Sequence, residues 1–322
     1  MSAPAFSPEL RLDLFLTAWV ARQERDFARL RDVLAAAPPA MLHNDLELGV
    51  MLSQAYAQLG QTREAREVVE RIRPLVGPRT PGLVRLNFTA VDGAVLLLEG
   101  RLREWAAVSA QQLSLAMEYG TDEGRLGASL NVGSCAALRW ELPRAIQMWQ
   151  RGLDEARHLG VTALLPWFHH NLARVYRHAN MLAESQRHLD ASVEYVRPEW
   201  MIPHDEQEKA ALLVDMGDPL LAGMFAARAL AGFQAVGSAA GECETRLVLI
   251  RIAVARGDLA RAREELELAT AVLPEHNLYV LAQVNEEAAV VHLLSGDRAA
   301  SALAAARARK AYAEMGAPRQ VR

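Results

Sequence analysis

Apolar residues return at intervals of three and four along nearly the whole chain. Between Leu164 and Tyr176, the residues Leu164, Leu165, Phe168, Leu172, Val175 and Tyr176 share one helical face. No alternating stretch bounded by hairpin turns competes, so no strands are expected. Short turn signatures break the helical runs at Leu59-Gly60, Glu99-Gly100, Trp140-Glu141, Asn180, Met216-Gly217-Asp218, Arg256-Gly257-Asp258 and Ser295-Gly296-Asp297. Successive marks lie about 40 residues apart, the signature of a repeat array. Glycine, and next to it asparagine, tolerates the left-handed conformation that closes a helix. Asp218, Asp258 and Asp297 then stand where a side chain caps the next helix, and Pro219 and Pro143 suit a first helical turn. A second set of marks, ending in Gly120, Gly160, Gly237 and Gly316, reads as the ends of second helices. Each period is therefore expected to be helix, tight turn, helix.

A further pair is expected before the first mark, with helices near 9–22 and 26–36 and Arg25 or Asp26 at the turn. The total is about eight repeats and about sixteen helices. Pro38-Pro39 and the segment from Gly77 to Gly82 punctuate the array, because proline restricts itself and its predecessor. The expected organisation is one array over 1–322. Within it, 1–78 stands as an N-terminal two-repeat subregion, 83–316 as the main array and 317–322 as a short tail.

Small residues lie seven before the marks at Ser53, Gly93, Gly133, Ala173, Ala210 and Ala289, with Ile250 as the exception. More lie five after, at Ala65, Ala145, Ser185, Ala222, Ala262 and Ser301. With Tyr56 and Tyr176 four before their marks and Pro274 as a terminal proline, the pattern resembles the tetratricopeptide repeat over roughly residues 9–316. Trp105 departs from it, standing where a small residue belongs. The long period is similar to repeats in the C-terminal regions of large bacterial transcriptional regulators and in kinesin light chains. The resemblance implies an all-α, right-handed superhelical solenoid whose first helices line a concave groove.

Composition agrees with that fold. Of 322 residues, 51% are hydrophobic and only 6% aromatic, which suits close packing of alanine-rich helices. The net charge of −4, without a long basic run, argues against direct nucleic-acid binding. Arg307, Arg309 and Lys310 read as a solvated helix face near a C-terminus. No secretion signal and no uninterrupted apolar span is present, and Cys135 and Cys243 sit among small apolar neighbours. A reduced, cytoplasmic protein without membrane contact is the expectation, and a homodimer is compatible with it.

Catalytic motifs are missing from the sequence: GxxxxGK, GxGxxG, HExxH and CxxC do not occur. Gly237 to Gly241 has one residue too many for a nucleophile elbow. His204 to Glu208 gathers carboxylates beside a histidine, read here as helix-start electrostatics rather than a metal site. His170 and His178 stand about 12 Å apart along a helix axis, too far for one ion to bridge. No enzyme, metal or cofactor is expected.

The same segment is informative as a surface. With His170 at zero, Trp167 falls at about +60°, Arg174 at about +40°, Arg177 at about −20° and His178 at about +80°, opposite Leu164, Phe168, Leu172, Val175 and Ala179. A solvated face and a binding surface both fit this stripe, and Trp and Arg weigh toward binding. The same register adds Asn131, Ser134 and Arg251. Asn131 and Asn171 occupy equivalent places, and the resemblance implies that Asn171 grips a ligand backbone. A cationic stripe in an acidic protein favours an acidic peptide, a carboxylate terminus or a small anion. Two functions follow as expectations. One is a non-catalytic module holding a partner protein or peptide in its groove; the other is a regulatory sensor that binds a small anionic ligand or signal peptide and acts through a partner protein.

Overall fold

The computed structural model describes residues 7–24, 26–59, 61–197, 199–273 and 277–317, with Trp200 described by its main chain alone. Among them are seventeen α-helices, three short 3₁₀ turns and no strand. The expected features at Arg25, Gly60 and Pro274, and tail residues 318–322, lie outside the described residues. The chain divides into two compact units, Met1–Glu99 with Glu104–Thr121, and Gly100–Arg103 with Asp122–Arg322. The division falls further along the chain than the Gly77 to Gly82 segment, which connects two helices inside the first unit.

The first unit contains α1 (Pro8–Gln23), α2 (Phe27–Ala35), α3 (Pro39–Asn44), α4 (Leu46–Gln58), α5 (Thr62–Ile72) and α6 (Gly82–Leu98), and most of α7 (Leu102–Tyr119). The short helix α3 is the element that the repeat pattern does not foresee. Pro39 there does more than punctuate: it occupies a first helical turn, where no N–H partner is needed. In the second unit, α8 (Asp122–Leu138), α10 (Leu165–His178), α12 (Ile202–Asp215), α14 (Ala239–Ala255) and α16 (Leu278–Leu294) are first helices. They alternate with α9 (Leu142–Leu159), α11 (Leu182–Ser192), α13 (Pro219–Ala235), α15 (Leu259–Ala271) and α17 (Arg298–Met315).

The turns form as their chemistry dictates. Gly100, Gly217, Gly257 and Gly296 are left-handed, with φ of 67°, 85°, 74° and 84°. Trp140 and Asn180 take the same conformation at 64° and 60°, which costs about 1–2 kcal/mol for a residue such as tryptophan and less for asparagine. Trp140 recovers a contact there, its ring 5.2 Å from that of His178. Asp218, Asp258 and Asp297 accept from the amides of Leu221, Arg261 and Ala300 at 3.0, 3.0 and 2.9 Å, capping α13, α15 and α17. Gly160 and Gly316 end their helices left-handed, whereas Gly120 closes α7 without a positive φ.

Small residues lie where paired helices cross. Ala65, Ala145, Ala173, Ala210, Ala222 and Ala262 are fully buried. The Ser53 hydroxyl donates to the Ala65 carbonyl at 3.0 Å, and Ser301 donates to Ala289 at 2.8 Å in the equivalent place. Trp105 is tolerated because Gly93 lies opposite it, so small and large exchange places across one interface. A Cβ at Gly133 would lie 2.3 Å from Trp149 Nε1, which shows how close that contact is. Both cysteines are buried, and burial pushes the Cys243 thiol up to about 12, leaving it an inert hydrophobe.

Candidate functional site

Residues three, four and seven apart on one helix share a face, and successive first helices of the second unit pack side by side. Each therefore presents a polar stripe to the same surface. On α10 the stripe is Trp167, His170, Arg174 and Arg177. On α12 it contains Asp205, Glu208 and Asp215, on α14 Glu244 and Arg251, and on α16 Tyr279 and Gln283. Asn131 and Ser134 belong to α8, both partly exposed.

The stripe on α10 is real, but most of it is neither solvated nor a bare cationic patch. His170 is buried, and its Nδ1 bonds Asp205 Oδ1 at 2.8 Å. Arg197 donates to the other oxygen of Asp205 at 2.5 Å. Burial works against the Asp205 charge, yet the bonds from His170 and Arg197 prevail and hold its carboxyl below the usual range. Arg177 pairs with Glu208 through Nε, and its Nη1 reaches Asp215 Oδ2 at 3.2 Å. Burial opposes that guanidinium's charge too, but Glu208 and Asp215 raise its affinity for the proton overall. Arg251 reaches Asp215 from α14. Arginines on alternate helices thus straddle carboxylates on the helix between them.

Arg174 differs. Its Nη2 donates to Tyr279 Oη at 3.1 Å, spanning from α10 past α12 and α14 to α16. The proton on Arg174 is held more tightly than usual, first by the Tyr279 oxygen, against burial, with Glu244 and Glu208 adding. Glu244 is partly accessible, and among the described residues it accepts no hydrogen bond and forms no ion pair. Burial pushes its carboxyl up, Arg174 works against that, and Glu208 adds to it. Three guanidinium groups, Arg174, Arg177 and Arg251, thus face three carboxylates, Glu208, Asp215 and Glu244.

Trp167 is partly buried and packs against the core around Trp149 and Phe168, so it is not a freely exposed ring. Asn171 Nδ2 donates to the Trp167 carbonyl at 2.9 Å, and the Ser134 hydroxyl donates to Leu130 at 3.0 Å, so both are tied to their own helices. His178 stands against Trp140 at the turn. Asp205 lies in the first turn of α12, where a helix-start charge belongs, and Glu208 lies beyond it. The helix turns them to the shared surface, while Glu206 pairs with Arg228 and Gln207 Nε2 donates to Thr245 at 3.1 Å.

His169 and His170, adjacent in sequence, meet different partners. His169 Nε2 lies 3.2 Å from Arg157 Nη2 and its Nδ1 lies 3.0 Å from His188 Nδ1, among α9 and α11. Because Arg157 can only donate, His169 accepts at Nε2 and donates from Nδ1 to His188, with both rings neutral. Burial pushes both down to about 4, aided by the neighbouring arginine charge. Among the described residues no group of three or more His, Cys, Asp or Glu side chains is placed to hold a metal ion. No described helix is long and apolar enough to cross a membrane.

No protein-family profile matches the chain, and no curated protein matches it in sequence. Solved structures do match its fold. A Rap protein complexed with competence and sporulation factor aligns at a TM-score of 0.72 with 11% identity, over 97% of this chain and 100% of that one. NprR in complex with its cognate peptide NprX aligns at 0.68 with 12% identity, over 95% and 91%. The Rap conjugation gene regulator of plasmid pLS20, in complex with the Phr* peptide, aligns at 0.65 with 11% identity, over 94% and 93%. At such identities the likeness is one of fold, and the fold of this chain is the tetratricopeptide-like helical-repeat solenoid.

Proposed function

We propose that the second unit is a non-catalytic peptide receptor and that its site is the surface shared by α8, α10, α12, α14 and α16. The observation that carries this reading is the convergence of polar stripes from successive first helices, with Arg174 of α10 reaching Tyr279 of α16. Arg174 and Tyr279 meet across the two first helices that lie between theirs, which supports a concave wall, and a wall of packed helices is preorganised. Trp167, His170, Asn171, Arg174, Arg177 and His178, with Asn131, Ser134 and Arg251, are proposed as its lining. Arg174 and Asn171 make the contacts, while Arg177, Arg251 and His170 hold the wall through their carboxylate partners. Three similar folds, each solved with a peptide or named factor, support the choice of ligand class.

A second reading, a sensor that transmits binding to a partner protein, is favoured by the same long contact. A ligand group that takes Arg174 from Tyr279 releases a tie between α10 and α16, and the repeats between them are free to change curvature. This chain would then act from the cytoplasm as a regulator, through another protein or a second copy of itself. Retention of random-sequence octapeptides by the immobilised chain tests the site: Asn171→Ala with Arg174→Ala should lower retention about tenfold or more at unchanged helix content. Equal retention by the double variant contradicts the site.

A further inference from the structure

Resting on the peptide-receptor reading, we infer that the ligand is a peptide carrying both signs of charge, with Glu244 taking a cationic group and Arg174 a carboxylate. The two charges are left apart by the way the rest of the network closes. Asp205 is shared by His170 and Arg197. Glu208 is taken by Arg177, and Asp215 is shared by Arg177 and Arg251. Arg174, with five donors, spends one of them on a neutral hydroxyl. Glu244 has acceptor sites for about four donors and uses none among the described residues. Both remain partly open to solvent.

A third group points the same way. Gln283 stands one turn beyond Tyr279 on α16, and its Oε1 is sealed from solvent without a hydrogen-bond partner. A buried amide oxygen without a donor is unfavourable, and a peptide N–H supplies what it lacks. The surface therefore offers a donor fork, a carboxylate and a carbonyl acceptor on three helices. That set matches a peptide main chain flanked by an acidic and a basic group better than it matches a polyanion. An acidic peptide would leave Glu244 facing like charge, where repulsion adds to burial.

The probe is a synthetic library of N-acetylated, C-amidated octapeptides in four pools, containing both Lys and Glu, Lys alone, Glu alone, or neither. The wild-type chain should retain the mixed pool most strongly, about tenfold above the uncharged pool. Glu244→Gln should remove the advantage of lysine, Arg174→Gln that of glutamate, and Glu244→Asp should restore part of the first. Preference for the glutamate-only pool, or the same preferences in wild type and Glu244→Gln, overturns this inference while leaving a peptide receptor. Retention of no pool by the folded wild-type chain overturns the receptor reading and this inference with it.

Discussion

Arg174 and Tyr279 lie 105 residues apart, and the guanidinium of one donates to the hydroxyl of the other at 3.1 Å. The contact ties the first helix of one repeat to the first helix three repeats on. Tyr279→Phe removes one charge-assisted bond from a partly exposed pair. It should lower stability by about 1 kcal/mol, read as a shift of the urea midpoint. Because the change frees Arg174, peptide retention should not fall, whereas Arg174→Ala should reduce it.

Buried and half-buried carboxylates on α12 should behave very differently. Glu208 and Arg177 have side chains only 7% and 10% exposed, so Glu208→Ala leaves a guanidinium buried with Asp215 as its remaining partner. A loss of roughly 2–4 kcal/mol is expected in denaturant unfolding. Glu206, paired with the exposed Arg228, should cost less than about 1 kcal/mol and lose even that in high salt. For the same reason, charge reversal at Arg177 would unfold the wall rather than report on ligand binding.

Stability should fall on acidification in two stages. Burial first, then nearby positive charge, pushes His169, His188 and His204 down to about 4. Between their unfolded value near 6.5 and about 4 the unfolded chain binds more protons, so stability declines as pH falls through that window. Asp205 is held low in the fold, so its contribution is present above its ordinary value of 3.8 and is lost as pH falls further, through its folded value. Urea unfolding at pH 7 and pH 5 should differ by on the order of 2 kcal/mol, allowing for the partial exposure of His188 and His204. His204→Asn should lessen the difference, and a pH-independent midpoint would contradict this account.

At the turn of the central repeat, Asn180 has a φ of 60°. Asn180→Val should destabilise by about 1–2 kcal/mol, because a β-branched residue pays the full left-handed penalty. Asn180→Gly should be neutral or slightly stabilising. Thermal melts of the two variants check the ordering.

Turns and caps were legible in the sequence because their causes are local. A left-handed residue needs Gly or Asn, a cap needs Asp, and both are read within a few positions. The direction of the α10 stripe was legible for the same reason, from the helical period alone. What covers that stripe was not. Asp205, Glu208 and Asp215 reach His170 and Arg177 from the next repeat, and their register depends on how one helix pair steps onto another. Trp140 marks a turn without glycine, yet nothing local explains why a tryptophan accepts that conformation; its contact with His178 does. Glu244, Tyr279 and Gln283 carry no motif, and they stand out only once their partners, or the lack of them, are seen.

Peptides are expected to bind on the first helices of the second unit. Hydrogen exchange measured by mass spectrometry, with and without the mixed-charge octapeptide pool at saturating concentration, tests it most directly. Added protection should appear in peptides covering α10, α12, α14 and α16 and should be absent from the Arg174→Gln, Glu244→Gln double variant. Protection confined to the second helices, or equal in the double variant, would contradict the account.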